Sequence, residues 1–143
     1  MILISHRGNT EGPNCKRENT EPYILKALNM GFDVEIDVWR QGNTFYLGHN
    51  KPKIEVSLGF LKNKNLWCHA KNLEAAESLA QTKIHYFWHE EDSLTITSKG
   101  YMWAHSKIKD RIGKQFICCY PSLKETSKEY KGICSDFIGS FKI

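Results

Sequence analysis

No stretch of the sequence approaches the roughly 20 consecutive apolar residues that a membrane-spanning helix needs. The opening residues Met1 to His6 are apolar over only a few positions and have no basic leader, so they are expected to form a strand and not a secretion signal. Cysteines at CxxC spacing are missing, and the five present (Cys15, Cys68, Cys118, Cys119 and Cys134) are an odd number. Three sit in apolar, strand-like runs, where a free thiol packs as a small hydrophobe. A cytoplasmic protein with reduced thiols is expected. The absence of a PCxxC pattern removes a zinc deaminase, which His and Cys118-Cys119 would otherwise raise. Basic charge is in small excess only, at net +4. That suits an anionic ligand but lacks the dense Lys/Arg stripes of a nucleic-acid binder, so no nucleic-acid partner is expected. There is no linker, repeat or low-complexity segment, and 143 residues make a single domain over 1–143.

What is present is organised around Asp33-Val34-Glu35-Ile36-Asp37-Val38-Trp39. Strict alternation predicts a β-strand with Val34, Ile36 and Val38 on one face and Asp33, Glu35 and Asp37 on the other. An ionised carboxylate in a dry interior needs a partner, or its pKa rises until it is neutral. A bound cation, a set of basic side chains, or water at a strand end would each relieve it. Basic candidates come after other strands: His6-Arg7, His49, His69 and Lys71. Glu35 and Asp37, two apart, can both touch one cation as hard oxygen ligands for Mg²⁺ or Ca²⁺. Histidine titrates near neutrality, so two of them can divide acid and base work.

Along the chain, Ile2 to Ser5 reads as a buried strand, with a Gly/Asn/Pro-rich loop after it over 8–18. A helix is predicted with Thr20 as cap, Pro22 in its first turn, a stripe of Ile24, Ala27 and Leu28, and Gly31 as its end. The strand at 33–39 turns at Gln41-Gly42-Asn43 and returns as Thr44 to Leu47, a hairpin delivering His49-Asn50. The polar stretch 51–65 carries one helical piece near Leu58, Phe60 and Leu61. Next come a strand from Leu66 to His69, a helix capped by Asn72 with stripe Leu73, Ala76, Leu79 and Ala80, and a strand from Ile84 to His89. One or two short strands over 95–104, a strand over 116–120, a helix opened by a Ser122–Glu125 capping box, and a last strand over 133–138 complete the order. Lys107 to Lys114 and Glu90-Glu91-Asp92 read as solvated loops. One of Trp39, Trp67, Trp88 and Trp103 is expected to wall a pocket, and the others to pack. Strands alternating with helices, with ionisable residues just after the strands, point to an α/β fold: a reduced (β/α) TIM-type barrel of parallel strands with a β-hairpin after the second strand. A complete barrel takes about 250 residues, so parts must be missing.

His6-Arg7-Gly8, Glu18-Asn19-Thr20, Glu35-Ile36-Asp37 and the later His49 make a spaced set that resembles the glycerophosphodiester phosphodiesterase family (HRG, ENT, ExD and His-Asp). Lys71, two residues after His69, resembles the Lys of the family's ExK strand, and Gly132-Ile133-Cys134-Ser135-Asp136 resembles its last-strand ending. The resemblance implies a (β/α) barrel that hydrolyses a small-molecule phosphodiester of the glycerophosphodiester type, in lipid metabolism, with a divalent metal cation, Mg²⁺ or Ca²⁺. It implies that His6 and His49 act as general acid and base and that Glu18, Glu35 and Asp37 bind the metal. Arg7 and Lys71 would hold the phosphate, and the substrate's neighbouring hydroxyl would attack to give a cyclic phosphate.

Two residues depart from the pattern. Asn50 stands where the family has Asp, and His69 stands where it has Glu. The second change makes His69 an imidazole metal ligand, removes a negative charge, and tilts the metal preference away from a pure oxygen site. His85 and His89 share a strand face; His89, at the strand end before Glu90, is assigned to substrate binding, while His85 is expected to pack. A non-catalytic binding module for phosphorylated ligands is the alternative, since binding does not need both His6 and His49 on one pocket.

Overall fold

The alternation at 33–39 becomes strand β2 (Asp33–Gln41), with Val34, Ile36 and Val38 fully buried. Our computed structural model describes residues 1–105, 113–120 and 130–141. Before β2 come β1 (Ile2–His6) and helix α1 (Glu21–Asn29). After it come β3 (Thr44–Leu47), β4 (Ile54–Val56), the single turn α2 (Leu58–Leu61), β5 (Leu66–Ala70) and α3 (Leu73–Ala80). The remaining strands are β6 (Tyr86–Phe87), β7 (Leu94–Ile96), β8 (Met102–His105), β9 (Phe116–Cys119) and β10 (Gly132–Ser135), before a closing 3-10 turn, Ile138–Phe141.

Parallel pairing runs β6-β5-β2-β1-β10-β9-β8. The end of β2 leaves this run and pairs antiparallel with β3, from Val38 opposite Leu47 to Gln41 opposite Thr44, which is the expected hairpin. β4 extends it, and β7 lies antiparallel on β8. The result is a mixed α/β sheet of ten strands with few helices. The sheet curls: Phe87 of β6 stacks on Trp103 of β8 with centroids 4.5 Å apart, although those strands end opposite sides of the parallel run. Ser98 N–H donates to Tyr86 C=O across the gap at 2.8 Å, but no ladder joins β6 to β7 or β8 among the described residues. A closed TIM-type ring is therefore not shown.

The curl divides the apolar side chains. Inside lie Ile4, Trp67, Phe87, Trp103, Ile117, Cys119 and Cys134. Outside, α1 and α3 bring Ile24, Ala27, Ala75, Ala76 and Leu79 onto Val34, Ile36, Leu66 and Cys68. Each large aliphatic side chain so buried contributes about 1.5–3 kcal/mol.

Several local expectations shift. Thr20 precedes α1, but its hydroxyl donates to Arg17 C=O and caps nothing. Asn72 does cap α3, accepting from Ala75 N–H, and also bonds both backbone groups of Arg40. Tied there, α3 turns Leu73 to solvent (54% exposed) and buries Ala75 in its place. β4 goes unforeseen, being three residues beside Pro52 and two lysines. β6 is shorter than Ile84 to His89 because the chain leaves β5 after Phe87 to lay the His89 ring on His69. β10 stops at Ser135, leaving Asp136 in a turn. The helix expected from Ser122 to Gly132 lies outside the described residues over 121–129, as does most of the 107–114 stretch, and Gly132 itself opens β10. No helix among the described residues is long and apolar enough to cross a membrane.

Candidate active site

Parallel strands present their C-terminal ends to one side, and the residues just past those ends converge there. His6 ends β1, Glu35 and Asp37 lie on β2, His69 on β5, and Lys71, His89, Tyr120 and Asp136 come after β5, β6, β9 and β10. The β2–β3 hairpin brings His49 to the same place. A cavity of about 260 Å³ is lined by His6, Arg7, Glu35, His49, His69, Lys71 and His89, with Trp103 and Tyr120 in its walls. Arg7, Asn19 and Tyr120 have φ of 55°, 56° and 55°. Arg7 and Tyr120 line this cavity and Asn19 an adjoining one, and left-handed backbone at non-glycine residues is strain of the kind that persists at ligand sites.

Asp37 lies beneath the cavity, 1% exposed, and is the hub of its charges. Its Oδ2 accepts from Asn19 Nδ2 at 2.9 Å and lies 2.8 Å from Arg7 Nε and 3.4 Å from His49 Nδ1. The Arg7 contact is an ion pair whose angle does not make a hydrogen bond, leaving Nε without a hydrogen-bond acceptor. Asn19 also accepts from Asp37 N–H at 2.9 Å, clamping the residue from both sides. Among the described residues the ion-pair contacts of Oδ1 are longer, 3.4 Å to His69 Nδ1 and 3.6 Å to Lys71 Nζ. Burial pushes this carboxyl upward, yet His49, His69, Arg7 and Lys71 outweigh it and hold it well below the usual carboxylate range.

Glu35 is the opposite case. Burial, then the charge of Asp37, raises its pKa against the pull of His6, His69 and Arg7. Its Oε1 is 3.8 Å from His69 Nδ1 and its Oε2 is 3.7 Å from His6 Nε2, and Oε2 is buried without a hydrogen bond. His69 Nε2 lies 3.3 Å from His89 C=O, the direction of an N–H donor, and its ring lies nearly parallel to those of Phe87 and His89. Nδ1 faces both carboxylates, and with a cation between them donation from Nε2 to His89 C=O would leave the Nδ1 lone pair as a ligand. Ligand atoms from Glu35, Asp37 and His69 lie within 4.8 Å of one another. A buried oxygen lacking a partner, a second weakly engaged oxygen and an oriented imidazole together fit a divalent cation. Glu18 is not in this group. Its Oε1 accepts from Asn9 Nδ2 (2.9 Å) and Asn14 N–H (3.1 Å), and its Oε2 lies 3.3 Å from Arg7 Nη1.

His6 has its own carboxylate. Nδ1 lies 2.7 Å from Asp136 Oδ1, which also accepts from Asn9 Nδ2 at 2.8 Å, and the Tyr120 hydroxyl is 2.9 Å from both ring nitrogens. Burial lowers the pKa of His6, but Asp136 and Glu35 outweigh it and the net shift is upward. His49 is more exposed, and its Nδ1 lies 2.6 Å from Arg7 Nη2. Arginine only donates, so this contact uses the Nδ1 lone pair and puts the ring hydrogen on Nε2. Burial, aided by His69 and Lys71, lowers the pKa of His89 to about 4, so the ring is neutral; its Nδ1 is buried without a hydrogen bond. His85 packs on Trp67 at 4.1 Å and bonds Thr97, away from the cavity.

Of the residues singled out by sequence, all but Glu18 and Asp37 line this cavity; Asp37 lies under it and Glu18 lines an adjoining one. Sequence reasoning missed Tyr120, Asp136, Asn9 and Asn19. The rule that found His69, ionisable residues just past strand ends, also covers Tyr120 and Asp136, and Asn19 is the middle residue of the Glu18-Asn19-Thr20 triplet.

No family model and no curated protein matches this chain. Its fold resembles the crystal structure of a glycerophosphodiester phosphodiesterase from Thermotoga maritima, with a TM-score of 0.62 and 14% sequence identity over 99% of this chain and 97% of that one. At that identity the likeness is one of fold.

Proposed function

We propose that the chain hydrolyses a small-molecule phosphodiester of the glycerophosphodiester type, with His6 and His49 as the acid–base pair. The observation that carries this reading is that both histidines line one cavity with Glu35, His69 and Lys71. Cleavage needs a base on the attacking hydroxyl, an acid on the leaving oxygen and charge on the non-bridging oxygens. His6, with Nδ1–H held by Asp136, offers Nε2 to take the proton of the substrate's neighbouring hydroxyl. That hydroxyl oxygen then bonds phosphorus, and the bond to the leaving alkoxide breaks. Arg7 turns its guanidinium from His49 onto the phosphate, freeing Nδ1 of His49 to face Asp37 as an imidazolium. His49 Nε2–H then protonates the leaving oxygen. The cyclic phosphate opens to water with the two roles exchanged. Lys71 supplies a second positive charge, and neutral His89 forms the far wall. A divalent cation, Mg²⁺ or Ca²⁺, held by Glu35, Asp37 and His69 would neutralise charge on the phosphate oxygens. Glu18 is the next candidate ligand, once released by Asn9, Asn14 and Arg7.

The test is turnover of bis-p-nitrophenyl phosphate and of glycerophosphodiesters by protein supplied with Mg²⁺, Ca²⁺ or Mn²⁺. His6→Ala and His49→Ala should each lose about 10²- to 10⁴-fold. Loss of the acid should weigh less on the nitrophenyl ester, whose leaving group needs little protonation. Asp37 already has Arg7, Lys71 and two histidines about it, which favours a binder of phosphorylated ligands as the second reading. That reading takes over if wild-type protein cleaves no diester with any of the cations.

A further inference from the structure

A second cavity, of about 280 Å³, opens on the other side of the Arg7–His49 contact; Glu18, Gly48, Lys51 and Lys53 also line it. Arg7 and His49 are common to both cavities, so the two adjoin across that contact. Among the described residues the one carboxylate in the wall is Glu18, and it is engaged by Asn9, Asn14 and Arg7. Lys51 and Lys53 are exposed, and among the described residues neither pairs with a carboxylate, whereas Lys71 pairs with Asp37. The turn that carries them is built. Lys53 N–H donates to Leu47 C=O at 3.0 Å, and Gly48 has φ +152°, with a Cβ there colliding with Lys51 C=O and lying 3.2 Å from Lys53 Cβ. The left-handed residues Arg7 and Asn19 form the facing wall. The volume lies just below the usual 300–1,000 Å³ of small-molecule sites, room for one compact group.

We propose that this cavity is a subsite for an anion carried on one arm of the diester. The substrate is then a phosphodiester bearing a second phosphate or a carboxylate, an assignment that rests on the phosphodiester reading above. Arg7 is shared between the two anions, and Lys51 and Lys53 hold the second.

The test reads binding, not turnover. Titration calorimetry on the full chain in Mg²⁺ compares short straight-chain diol bisphosphates with the corresponding monophosphates and with phosphate–carboxylate compounds of equal length. Two exposed cations, each contributing a few-fold, should give the bisphosphates an advantage of about tenfold. The advantage should shrink as salt is raised. An equal gain for the phosphate–carboxylate compounds assigns the subsite to either anion, and a gain for bisphosphates alone assigns it to phosphate. The double variant Lys51→Gln/Lys53→Gln should reduce the advantage to about twofold or less, while Lys62→Gln, an exposed lysine at the end of α2, should leave it intact. No advantage in wild type, or one that survives the double variant, overturns the proposal. Cleavage of a plain diester without any bisphosphate advantage removes the subsite and keeps the phosphodiesterase. The advantage without cleavage of any diester does the reverse.

Discussion

His6 and Asp136 are 130 positions apart in sequence, and their Nδ1 and Oδ1 atoms are 2.7 Å apart in the fold. The pairing raises the histidine, against its burial, and with Asn9 and Arg7 lowers the carboxylate. A histidine raised on folding stabilises below its unfolded pKa, and the contribution fades as pH rises through the folded value. Asp136→Asn should therefore lower the pKa of His6 and remove that part of the pH dependence. NMR titration of the His6 ring checks it, and an unmoved titration would show that Asp136 does not set the state of the ring.

Asp37→Ala leaves Arg7 and Lys71 facing each other over a buried gap. Removing one member of a buried ion-paired set costs about 3–5 kcal/mol. Urea unfolding without added cation should show a loss of that order, and the companion change Lys71→Met should recover part of it. Calorimetry on Asp37→Asn should show weakened cation binding, and binding equal to that of wild type would remove Asp37 from the ligand set.

Gly48→Ala meets both a positive φ and the Lys51 carbonyl. Strain of this kind costs about 1–3 kcal/mol, and Gly48 C=O also accepts from Trp39 Nε1 at 2.5 Å. The variant should melt lower and lose turnover beyond what its melting explains, because His49 is the next residue. A variant that melts lower with unchanged kcat would mean that the turn does not position His49.

Burial, together with Lys99, lowers the pKa of His85 to about 4. A base lowered on folding binds fewer protons folded than unfolded, so stability rises with pH between the two values. From about pH 6.5 down to 4, this residue should contribute a slope of up to about 1.4 kcal/mol per pH unit. The stability difference between wild type and His85→Gln should change across that window, moving against wild type as pH falls, and stay constant above and below it.

What could be seen in the sequence was local in origin. The period-two pattern of 33–39 announced a strand with its carboxylates in step, and Asn72 announced a cap. The face that α3 buries was not visible, because the bonds from Asn72 to Arg40 turn Leu73 outward across a span of 32 residues. Asp33 looked equivalent to Glu35 and Asp37 and is not. It serves the opposite end of the strand, accepting from Asn65 Nδ2 and Trp67 Nε1. Glu18 was visible as a motif carboxylate, whereas its capture by Asn9 and Asn14 depends on how the 8–18 loop folds back on itself. Tyr120 and Asp136 were hidden for another reason. Their meaning is fixed by His6, more than 110 positions away.

The parallel register of β1 on β10 pairs Ile2 with Gly132 and Ser5 with Ser135, while β2, β3, β4 and β5 pair within a few dozen residues of one another. Closing so long a loop costs entropy before its contacts repay it, which places that ladder late in assembly. A chain emerging in sequence can build the carboxylate-bearing hairpin while His6 still has no Asp136. The contact between His6 and Asp136 is then completed only when β10 docks between β1 and β9.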